Sequence, residues 1–430
     1  MTVNTNDIFE IIEKQDTWRN DKCINLIASE NAQSPACRKA HISDFMARYA
    51  EGHPNEEGAV NRYYQGTGFI DKIEVMARKE ALELFKCAQA DVRPYSGNNA
   101  NSAIALAYLR GGDSVIVNST DSGGHISHNS YGVFGRRIQQ RGQSLIPGSE
   151  KFVSLFNWPL TEDRYHVDVK KSIELVEKIK PNIAIFGKSL YLFPDPVKEL
   201  APLCKELKIP ILYDGAHVLG LIAGGQFQNP LTEGATWLTG STHKTFPGPQ
   251  RGLILADLKG ADEKEYWTPA DRGVFPGTSS NHHLYSLPPL LVAIREMKQH
   301  GADYAKQIIK NAQALGKALD ENGINVEAKN FGYTASHQIA VNVSDFAGGL
   351  KAAIDLEKND IIVNYNMLPG DTDPRNPSGL RIGTPEMTRF GMKEGDMGEL
   401  AVLIAEAIKG KNVKEKVNQL RARFTELKYC

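Results

Sequence analysis

The sequence Thr242-His243-Lys244-Thr245-Phe246-Pro247-Gly248-Pro249 comes shortly after an apolar run, residues 235–238, that is typical of a buried strand. Lys244 therefore stands just beyond the end of that strand. In open α/β sheets, ligands bind at the edge where the strands end, and a lysine that loses its hydration there becomes a nucleophile. The segment predicts a reactive lysine at the carboxyl edge of a parallel sheet.

A second segment upstream, Tyr213-Asp214-Gly215-Ala216-His217, supplies an acid that matches this lysine. Residues 209–213 are typical of a short buried strand that ends in Asp214. An aspartate held against a pyridinium nitrogen keeps the ring protonated, which is what pyridoxal phosphate (PLP) requires beside its lysine. Asp214, His217 and Lys244 on successive strand ends therefore predict a PLP site. Taken alone, Asp214 fits a helix cap and Lys244 a solvated loop cation; the pair together with a phosphate site favours the cofactor.

The phosphate site is predicted at residues 96–98. Ser96, Gly97 and Asn98 precede an apolar helical stretch, residues 103–109. Small polar residues at the opening of a helix present free backbone N–H groups, and the helix dipole favours an anion there. We expect these three residues to cradle the phosphate, although an ordinary serine or asparagine N-cap fits this segment equally well.

Length, charge and cysteine content restrict the function classes. A chain of 430 residues is expected to form a large domain and a smaller one. A net charge of −1, from 50 basic and 51 acidic residues, indicates no nucleic-acid or anionic membrane partner. The five cysteines include no C-x-x-C pair, residues 1–7 are polar and show no basic stretch followed by an apolar core, and no 18-residue apolar run occurs. We therefore expect a soluble, cytoplasmic protein.

Three regions are expected along the chain. Residues 1–35 contain an amphipathic helical pattern at 8–19 and form an N-terminal arm. In residues 36–286, apolar strands alternate with helical stretches, which predicts a mainly parallel sheet covered on both faces. From about residue 287 a long helix, closed by Gly323, is followed by short strands and helices, which predicts a smaller α+β domain over 287–430.

Further candidate residues lie in loops. His125 could stack on a planar cofactor or be an ordinary loop histidine, and Arg381 could fork onto a substrate carboxylate or form a surface ion pair. Ser29 ends an apolar stretch, where Ser29 or Asn31 would also cap a helix before Pro35. The long loop 49–66, rich in tyrosine, is expected to be functional because ordering such a loop is costly.

A metal site is not expected. His282 and His283 are adjacent, but neighbouring residues of a strand point to opposite faces, and the sequence offers no third ligand nearby.

Together these motifs resemble those of serine hydroxymethyltransferase, most closely its archaeal-type members. The matching segments, in chain order, are residues 26–31 (Leu-Ile-Ala-Ser-Glu-Asn), 49–52 (Tyr-Ala-Glu-Gly), 62–66 (Arg-Tyr-Tyr-Gln-Gly), 96–97 (Ser-Gly), 123–125 (Gly-Gly-His), 214–217 (Asp-Gly-Ala-His), 242–245 (Thr-His-Lys-Thr) and 378–384 (Ser-Gly-Leu-Arg-Ile-Gly-Thr). The resemblance implies a PLP-dependent transferase of fold type I, with a mainly parallel seven-stranded sheet in the large domain and a smaller C-terminal α+β domain. It also implies a homodimer, or a dimer of dimers, with shared active sites.

The resemblance assigns roles around the cofactor. Lys244 would bond to PLP, Asp214 would pair with its ring nitrogen, and His125 would stack on the ring. Ser189 and His217 would contact the side of the phenolate oxygen. The phosphate and neighbouring contacts would come from Ser96, Gly97, Asn98, Ser241, His243 and Gly277.

It also assigns roles around the substrates. Ser29 and Arg381 would bind the amino-acid carboxylate, and Glu51 would handle the proton of the hydroxymethyl group. Tyr49 and Tyr64 would join Glu51 from the neighbouring subunit. A reduced pterin, tetrahydrofolate or a relative, would accept the carbon unit as serine becomes glycine, and its ring would lie near Ile126 and Asn366.

Three features depart from the family pattern. Residues 53–61 make a longer, more acidic link than is usual, residues 276–283 replace the common Gly-Gly-x-x-Gly-Gly loop as in archaeal-type members, and Tyr365 stands where a lysine is usual. They leave the predicted PLP chemistry intact and concern the carbon acceptor. A pterin-independent threonine aldolase or transaldolase is therefore the alternative. A non-catalytic protein on this fold would be expected to lose Lys244 or Asp214, and both are present.

Overall fold

The computed structural model describes residues 5–56, 60–130, 132–135 and 153–430. The chain divides into two compact units. Residues 33–305 form the larger unit, and residues up to 32 together with 306–430 form the smaller one. The division at 305 falls within a single long helix that begins at residue 287, where the sequence predicts the start of a separate domain.

The described residues form thirteen strands and fourteen α-helices. The strands are β1 (Ile24–Asn25), β2 (Gln89–Asp91), β3 (Ser114–Val117), β4 (Ser154–Asn157), β5 (Ile183–Phe186), β6 (Ile211–Asp214), β7 (Trp237–Ser241), β8 (Gly252–Ala256), β9 (Asn325–Val326), β10 (Gln338–Asn342), β11 (Ile361–Ile362), β12 (Asn364–Asn366) and β13 (Gly379–Gly383). The helices are α1 (Asn6–Thr17), α2 (Pro35–His41), α3 (Gly68–Phe85), α4 (Gly97–Tyr108), α5 (Val169–Ile179), α6 (Val197–Glu206), α7 (Leu219–Ala223), α8 (Pro230–Glu233), α9 (Thr268–Arg272), α10 (Leu287–Glu321), α11 (Gly348–Lys358), α12 (Pro385–Arg389), α13 (Met397–Ile408) and α14 (Lys414–Arg421).

The larger unit is built on a seven-stranded sheet with the order β2-β8-β7-β6-β5-β3-β4. Strands β4, β3, β5, β6 and β7 pair in parallel, whereas β8 is antiparallel to both of its neighbours, β7 and β2. The prediction of a mainly parallel seven-stranded sheet is confirmed.

The central strands explain where the site lies. Every residue of β5, β6 and β7 is buried, as expected for strands covered on both faces. Because β6 and β7 are parallel neighbours with Asp214 opposite Thr239, their carboxyl ends lie side by side. Asp214 and the segment that carries Lys244 therefore emerge at the same edge of the sheet.

The smaller unit contains a four-stranded antiparallel sheet, β12-β13-β10-β9, and a parallel pair, β1 with β11. Its apolar core includes Ile24 and Leu26 near the N-terminus together with residues of α10, α13 and β13. No residue of helix α1 is buried, and Ile8, Phe9, Ile11 and Ile12 are exposed. No helix in the described part of the chain is long and apolar enough to cross a membrane.

Two local expectations from the sequence are wrong. Ser34, not Ser29 or Asn31, caps helix α2: its Oγ accepts from the amide of Cys37 at 3.0 Å, because it directly precedes Pro35 at the first helical position. His282 and His283 do not lie in a strand; they precede a short helical turn, Leu284–Ser286.

Helix α1 ends at Thr17 and continues as a wider turn, Trp18–Lys22.

Candidate active site at the carboxyl edge of the seven-stranded sheet

Asp214 lies at the end of β6 and is 5% exposed. Its Oδ2 accepts hydrogen bonds from Nδ2 of Asn101 at 2.7 Å and from Nε2 of His128 at 3.0 Å. Its Oδ1 accepts from the amide of Ala216 at 3.0 Å. Thr239 fixes the Asn101 amide, because its Oγ1 donates to Oδ1 of Asn101 at 2.7 Å. The carboxylate is thus oriented by donors from three separate segments.

These donors determine the charge of Asp214. Burial alone would raise its pKa, but the hydrogen bond and charge of His128, the charge of His125 and the Ala216 amide outweigh burial and hold the pKa well below its usual range. Asp214 is therefore ionised at neutral pH. A buried, ionised carboxylate is the partner that a protonated pyridine nitrogen requires.

His128 and Asn101 were not among the residues expected from the sequence. His128 follows His125 by three residues on a short helical turn, Ile126–His128, and Asn101 lies four residues beyond Gly97 on α4. Their spacing from predicted site residues, one helical turn in each case, is the feature of the sequence that could have identified them.

Lys244 is half-buried and follows β7 in a loop that is closed by backbone contacts. Thr242 accepts from the amide of Gly248 at 2.7 Å, and its Oγ1 donates to the carbonyl of Pro249 at 2.6 Å. Oγ1 of Thr245 donates to the carbonyl of His217 at 2.8 Å. The loop of Lys244 is thus fastened to the segment that follows Asp214.

A glycine permits this close approach. A Cβ atom at Gly220, on α7, would lie 2.3 Å from the backbone of Thr245. The amide of Gly220 also donates to Oγ1 of Thr245 at 3.0 Å. Any side chain at position 220 would push the loop of Lys244 away from the sheet.

His243 offers a neutral polar atom next to the lysine. Burial and the charge of Lys244 lower the pKa of His243 to about 4. Its Nδ1 is buried and has no hydrogen-bond partner among the described residues. A neutral imidazole with a free nitrogen can donate to an anion without adding charge to the site.

The residues that the sequence predicts as a phosphate cradle lie at the start of α4. Ser96 is the N-cap, with Oγ accepting from the amide of Asn99 at 3.1 Å, so the ordinary capping role holds for it. A Cβ atom at Gly97 would lie 2.6 Å from Oγ of Ser241 at the end of β7. Glycine at this position therefore lets the Ser241 hydroxyl reach the open N–H groups of the helix, which is a suitable environment for a phosphate.

The strands also bring Ser189 and His125 together. The amide of Ser189 donates to the carbonyl of Gly123 at 2.6 Å, and Gly124 pairs with Lys188. Nδ1 of His125 lies 2.7 Å from Oγ of Ser127. A Cβ at Gly187 would lie 2.4 Å from the carbonyl of Asp214, so the segment before Ser189 passes close to the buried aspartate.

Tyr49, Glu51 and Tyr64 form a separate cluster in the larger unit. The rings of Tyr49 and Tyr64 lie 5.2 Å apart, centroid to centroid, and the two tyrosines are 50% and 40% exposed. Partial desolvation, the charge of Glu51 and a hydrogen bond to it raise the pKa of Tyr64. The three residues thus interact, on an exposed surface of the single chain.

Not every expected residue joins these groups. Gly277 is exposed, and a Cβ there would meet the carbonyl of Arg272 and the side chain of Leu106, nine residues beyond Gly97 on α4. The chain therefore does not bring Gly277 to its own phosphate cradle. Ile126 is 64% exposed on the turn that also carries His128.

The remaining expected residues belong to the smaller unit. Arg381, in β13, is buried; its Nε donates to Oδ1 of Asn364 at 3.1 Å, and burial lowers its pKa to about 10. A Cβ atom at Gly383 would lie 2.4 Å from the Cα of Ala28. The segment of Ser29 therefore passes close to the end of the same strand. Nδ2 of Asn366 donates to the carbonyl of Met367 at 2.6 Å.

The two adjacent histidines have separate environments. His282 is buried, and its Nε2 lies 2.9 Å from Oε2 of Glu74, whereas His283 stacks on Tyr95 with ring centroids 4.3 Å apart. Within the described ranges, no three His, Cys, Asp or Glu side chains are grouped as metal ligands would be.

A seven-stranded, mainly parallel sheet that holds a buried aspartate, a lysine loop and a helix N-terminus at one edge defines a PLP-dependent enzyme of fold type I. The fold is similar to the crystal structure of L-threonine transaldolase from Pseudomonas fluorescens in the internal aldimine state, with a TM-score of 0.85 and 29% identity over 99% of this chain and 93% of that one. Two relatives named serine hydroxymethyltransferase are more similar in sequence. The protein of Metallosphaera sedula is 42% identical over 98% of this chain and 94% of its own length, and that of Pyrococcus abyssi is 45% identical over 96% and 92%.

The family model for serine hydroxymethyltransferase matches residues 1–404. The chain therefore belongs to the serine hydroxymethyltransferase family, a family of PLP-dependent one-carbon transferases that use tetrahydrofolate as co-substrate. The predictions of the family, the fold class and the cofactor are confirmed.

Proposed function

We propose that this protein interconverts serine and glycine and transfers the hydroxymethyl carbon of serine to tetrahydrofolate or a related pterin. The observation that carries the proposal is the buried, ionised Asp214 at the same sheet edge as the loop of Lys244. Membership of the serine hydroxymethyltransferase family indicates that the reaction at this site is one-carbon transfer.

The residues of the sheet edge would hold PLP. Lys244 would bond to its aldehyde carbon, Asp214 would keep its ring nitrogen protonated, and His125 would lie against the ring. Ser189 and His217 would contact the phenolate oxygen. When bound, PLP withdraws electrons from the amino acid and so stabilises negative charge on its α-carbon. The phosphate would be held by Ser96, Gly97, Asn98, Ser241 and His243, and by Gly277 of a second subunit.

Other residues would orient the amino acid and move one proton. Arg381 and Ser29 would bind its carboxylate, because a guanidinium can donate two parallel hydrogen bonds to such a group. Glu51 would hold the proton of the serine hydroxyl as the bond between the α- and β-carbons breaks. The adjacent Tyr49 and Tyr64 would exclude water and orient Glu51. The pterin would approach near Ile126 and Asn366.

We further propose a homodimer, or a dimer of dimers, in which Tyr49, Glu51 and Tyr64 complete the site of the neighbouring subunit. The exposure of Tyr49 and Tyr64 in the single chain supports this arrangement, as does the distance along α4 between Leu106, the neighbour of Gly277, and Gly97. A cytoplasmic location is proposed from the five free cysteines, which suit a reducing compartment.

Subunit sharing can be tested by complementation. Lys244→Ala is expected to be inactive and Glu51→Gln to keep only a small, measurable residual activity. A mixture allowed to exchange subunits should regain about a quarter of wild-type activity, because half of the dimers are mixed and each has one intact site. A mixture that gains no activity despite proven subunit exchange would mean that Glu51 serves its own chain.

The reaction itself is tested by measuring glycine formed from L-serine by the PLP-loaded protein, with and without tetrahydrofolate. Strong dependence of turnover on the pterin is expected. One observation supports the alternative, a threonine aldolase or transaldolase: the similarity of the fold to L-threonine transaldolase. It predicts instead that L-threonine and an aromatic aldehyde give a β-hydroxy-amino acid at a rate indifferent to the pterin.

A further inference from the structure

We propose that Arg62, assisted by Asn281, is a positioning residue that fixes the backbone on both sides of Glu51. The inference rests on the proposed function, in which Glu51 handles the proton of the serine hydroxyl. Arg62 would not touch the substrate; it would act through the position of the Glu51 carboxylate.

The contacts of Arg62 surround Glu51. Its Nη1 donates to the carbonyl of Ala50 at 2.6 Å and to the carbonyl of Gly52 at 2.8 Å. Gly52 and Arg62 also pair as an antiparallel bridge. The peptide groups that precede and follow Glu51 are therefore both held by one guanidinium group.

The guanidinium is itself anchored in the protein interior. Its Nε donates to Oδ1 of Asp71 at 2.8 Å, and its Nη2 donates to Oε2 of Glu74 at 2.6 Å. Thr67 donates to the other oxygen of Asp71 at 2.8 Å, and His282 donates to Glu74 at 2.9 Å. The side chain of Arg62 has no exposed surface. A buried arginine that donates hydrogen bonds from all three of its guanidinium nitrogens is a rigid support.

Protonation of the anchor is consistent with this arrangement. Burial would raise the pKa of Glu74, but His282 and Arg62 outweigh it and lower the pKa to about 2. Burial lowers the pKa of His282. The anchor therefore keeps its hydrogen-bond pattern across the neutral pH range.

Asn281 holds the same segment from the other side. Its Oδ1 accepts from the amide of Ala50 at 3.1 Å, and its Nδ2 donates to the carbonyl of Arg48 at 2.8 Å. The hydroxyl of Tyr95, next to the phosphate cradle, donates to the Asn281 carbonyl at 3.3 Å. Ala50 is thus fixed at both its N–H and its C=O group.

These contacts also separate Glu51 from the longer link that follows it. Oδ1 of Asn55 accepts from the amides of Asn61 and Arg62 at 2.7 and 3.0 Å, which closes the base of the link. Gly52 has a φ of 89°, and a Cβ there would lie 2.5 Å from the carbonyl of Asn61. Residues 57–59 of the link lie outside the described residues. Insertion beyond this closed base can lengthen the chain without moving Glu51.

Only arginine can make this set of contacts. Its planar group has five donors, and here it serves two carbonyls and two carboxylates simultaneously. Lysine would retain the charge that Asp71 and Glu74 need but could not reach both carbonyls. Small displacements of a proton-transfer group reduce turnover strongly. The Arg62→Lys variant therefore separates positioning from charge balance.

The test is a double-mutant cycle with four proteins: wild type, Arg62→Lys, Glu51→Gln and the double variant. We expect Arg62→Lys to lower kcat for serine cleavage about 10- to 100-fold, with cofactor content and the dissociation constant for glycine changed less than about threefold. In the Glu51→Gln background the same substitution should lower kcat less than about threefold, because its route of action is already lost.

Two variants complete the design. Arg78→Gln removes a second arginine that pairs with the link, at Glu56, but makes none of the contacts beside Glu51; its kcat should remain within about threefold of wild type. If Arg62→Lys does not fold, Asn281→Ala frees the amide of Ala50 without unpairing a buried charge. It should show the same loss in kcat and the same non-additivity with Glu51→Gln.

The outcomes are distinguishable. Additive losses from Arg62 and Glu51, or an Arg62→Lys variant with wild-type kcat, would overturn the proposal. Wild-type protein without tetrahydrofolate-dependent serine turnover would reject the proposed function instead. The same cycle, measured on cleavage of L-threonine, would then decide whether Arg62 positions Glu51.

Discussion

Two carboxyl groups, the buried Asp214 in the larger unit and the half-buried Glu386 in the smaller unit, have pKa values shifted in opposite directions. Asp214 accepts from His128, Asn101 and a backbone amide, and its pKa is held well below its usual range. Oε2 of Glu386 accepts from the side-chain Nδ2 of Asn25 at 2.8 Å, and desolvation raises the pKa of Glu386 to about 7. The donors around a desolvated carboxyl group, more than burial itself, decide in which direction its pKa shifts.

The same contrast separates a site from a structural group. Asp214 is kept ionised where the proposed cofactor would place a protonated nitrogen, whereas Glu386 has one neutral donor and the nearby charge of Glu30 raises its pKa further. Substitutions of these donors or of the carboxyl groups therefore test whether the donors set the two pKa values.

The largest effect is expected from Asp214→Asn. The amide has the same shape but cannot hold a proton on the cofactor's ring nitrogen, so kcat for serine should fall by about 10³-fold or more. The measurement is steady-state turnover of serine with tetrahydrofolate, with cofactor content determined on the same samples. A variant that binds PLP and retains activity within tenfold of wild type would contradict the role of Asp214.

A smaller loss is expected from His128→Leu. Without the hydrogen bond from His128, the pKa of Asp214 should rise toward that of Glu386. Because one pKa unit corresponds to about 1.4 kcal/mol, kcat should fall about 10- to 100-fold. The matched control is His166→Leu, which removes another histidine paired with an aspartate, Asp163, at 2.9 Å. Equal losses in the two variants would mean that the effect is general destabilisation.

The smallest effect concerns stability, in Glu386→Gln. Because the folded-state pKa of Glu386 is raised from 4.5 to about 7, its favourable contribution is present below pH 4.5 and is lost as the pH rises through 7. Glutamine does not titrate, so the variant should gain up to about 3 kcal/mol of unfolding free energy, relative to wild type, between pH 4 and pH 8. Urea unfolding at the two pH values measures this gain, and a pH-independent difference would show that Glu386 titrates normally.

The sequence was sufficient to predict that Asp214 and Lys244 lie at the same edge of the sheet. Each residue follows an apolar strand, and parallel strands place their carboxyl ends at one edge whatever the rest of the chain does. Ser96 and Gly97 were predictable for a similar reason, since a helix N-terminus exposes its N–H groups by construction.

The partners of these residues could not be predicted in the same way. Asn101 and His128 reach Asp214 from 113 and 86 residues away along the chain, so their roles depend on how α4 and the turn after β3 pack on the sheet. The support of the Glu51 backbone depends on tertiary packing in the same way, because Asn281 reaches Ala50 from 231 residues away along the chain. Local propensity decides strand ends, whereas tertiary packing decides which donors surround a buried charge.

The most direct test of the account is a ¹⁵N NMR measurement of the enzyme reconstituted with PLP labelled at the ring nitrogen. If Asp214 is the ionised partner of that nitrogen, the wild-type spectrum should report a protonated nitrogen at neutral and mildly alkaline pH, and Asp214→Asn should report an unprotonated one. An unprotonated nitrogen in the wild-type protein, or identical spectra for the two proteins, would contradict the account.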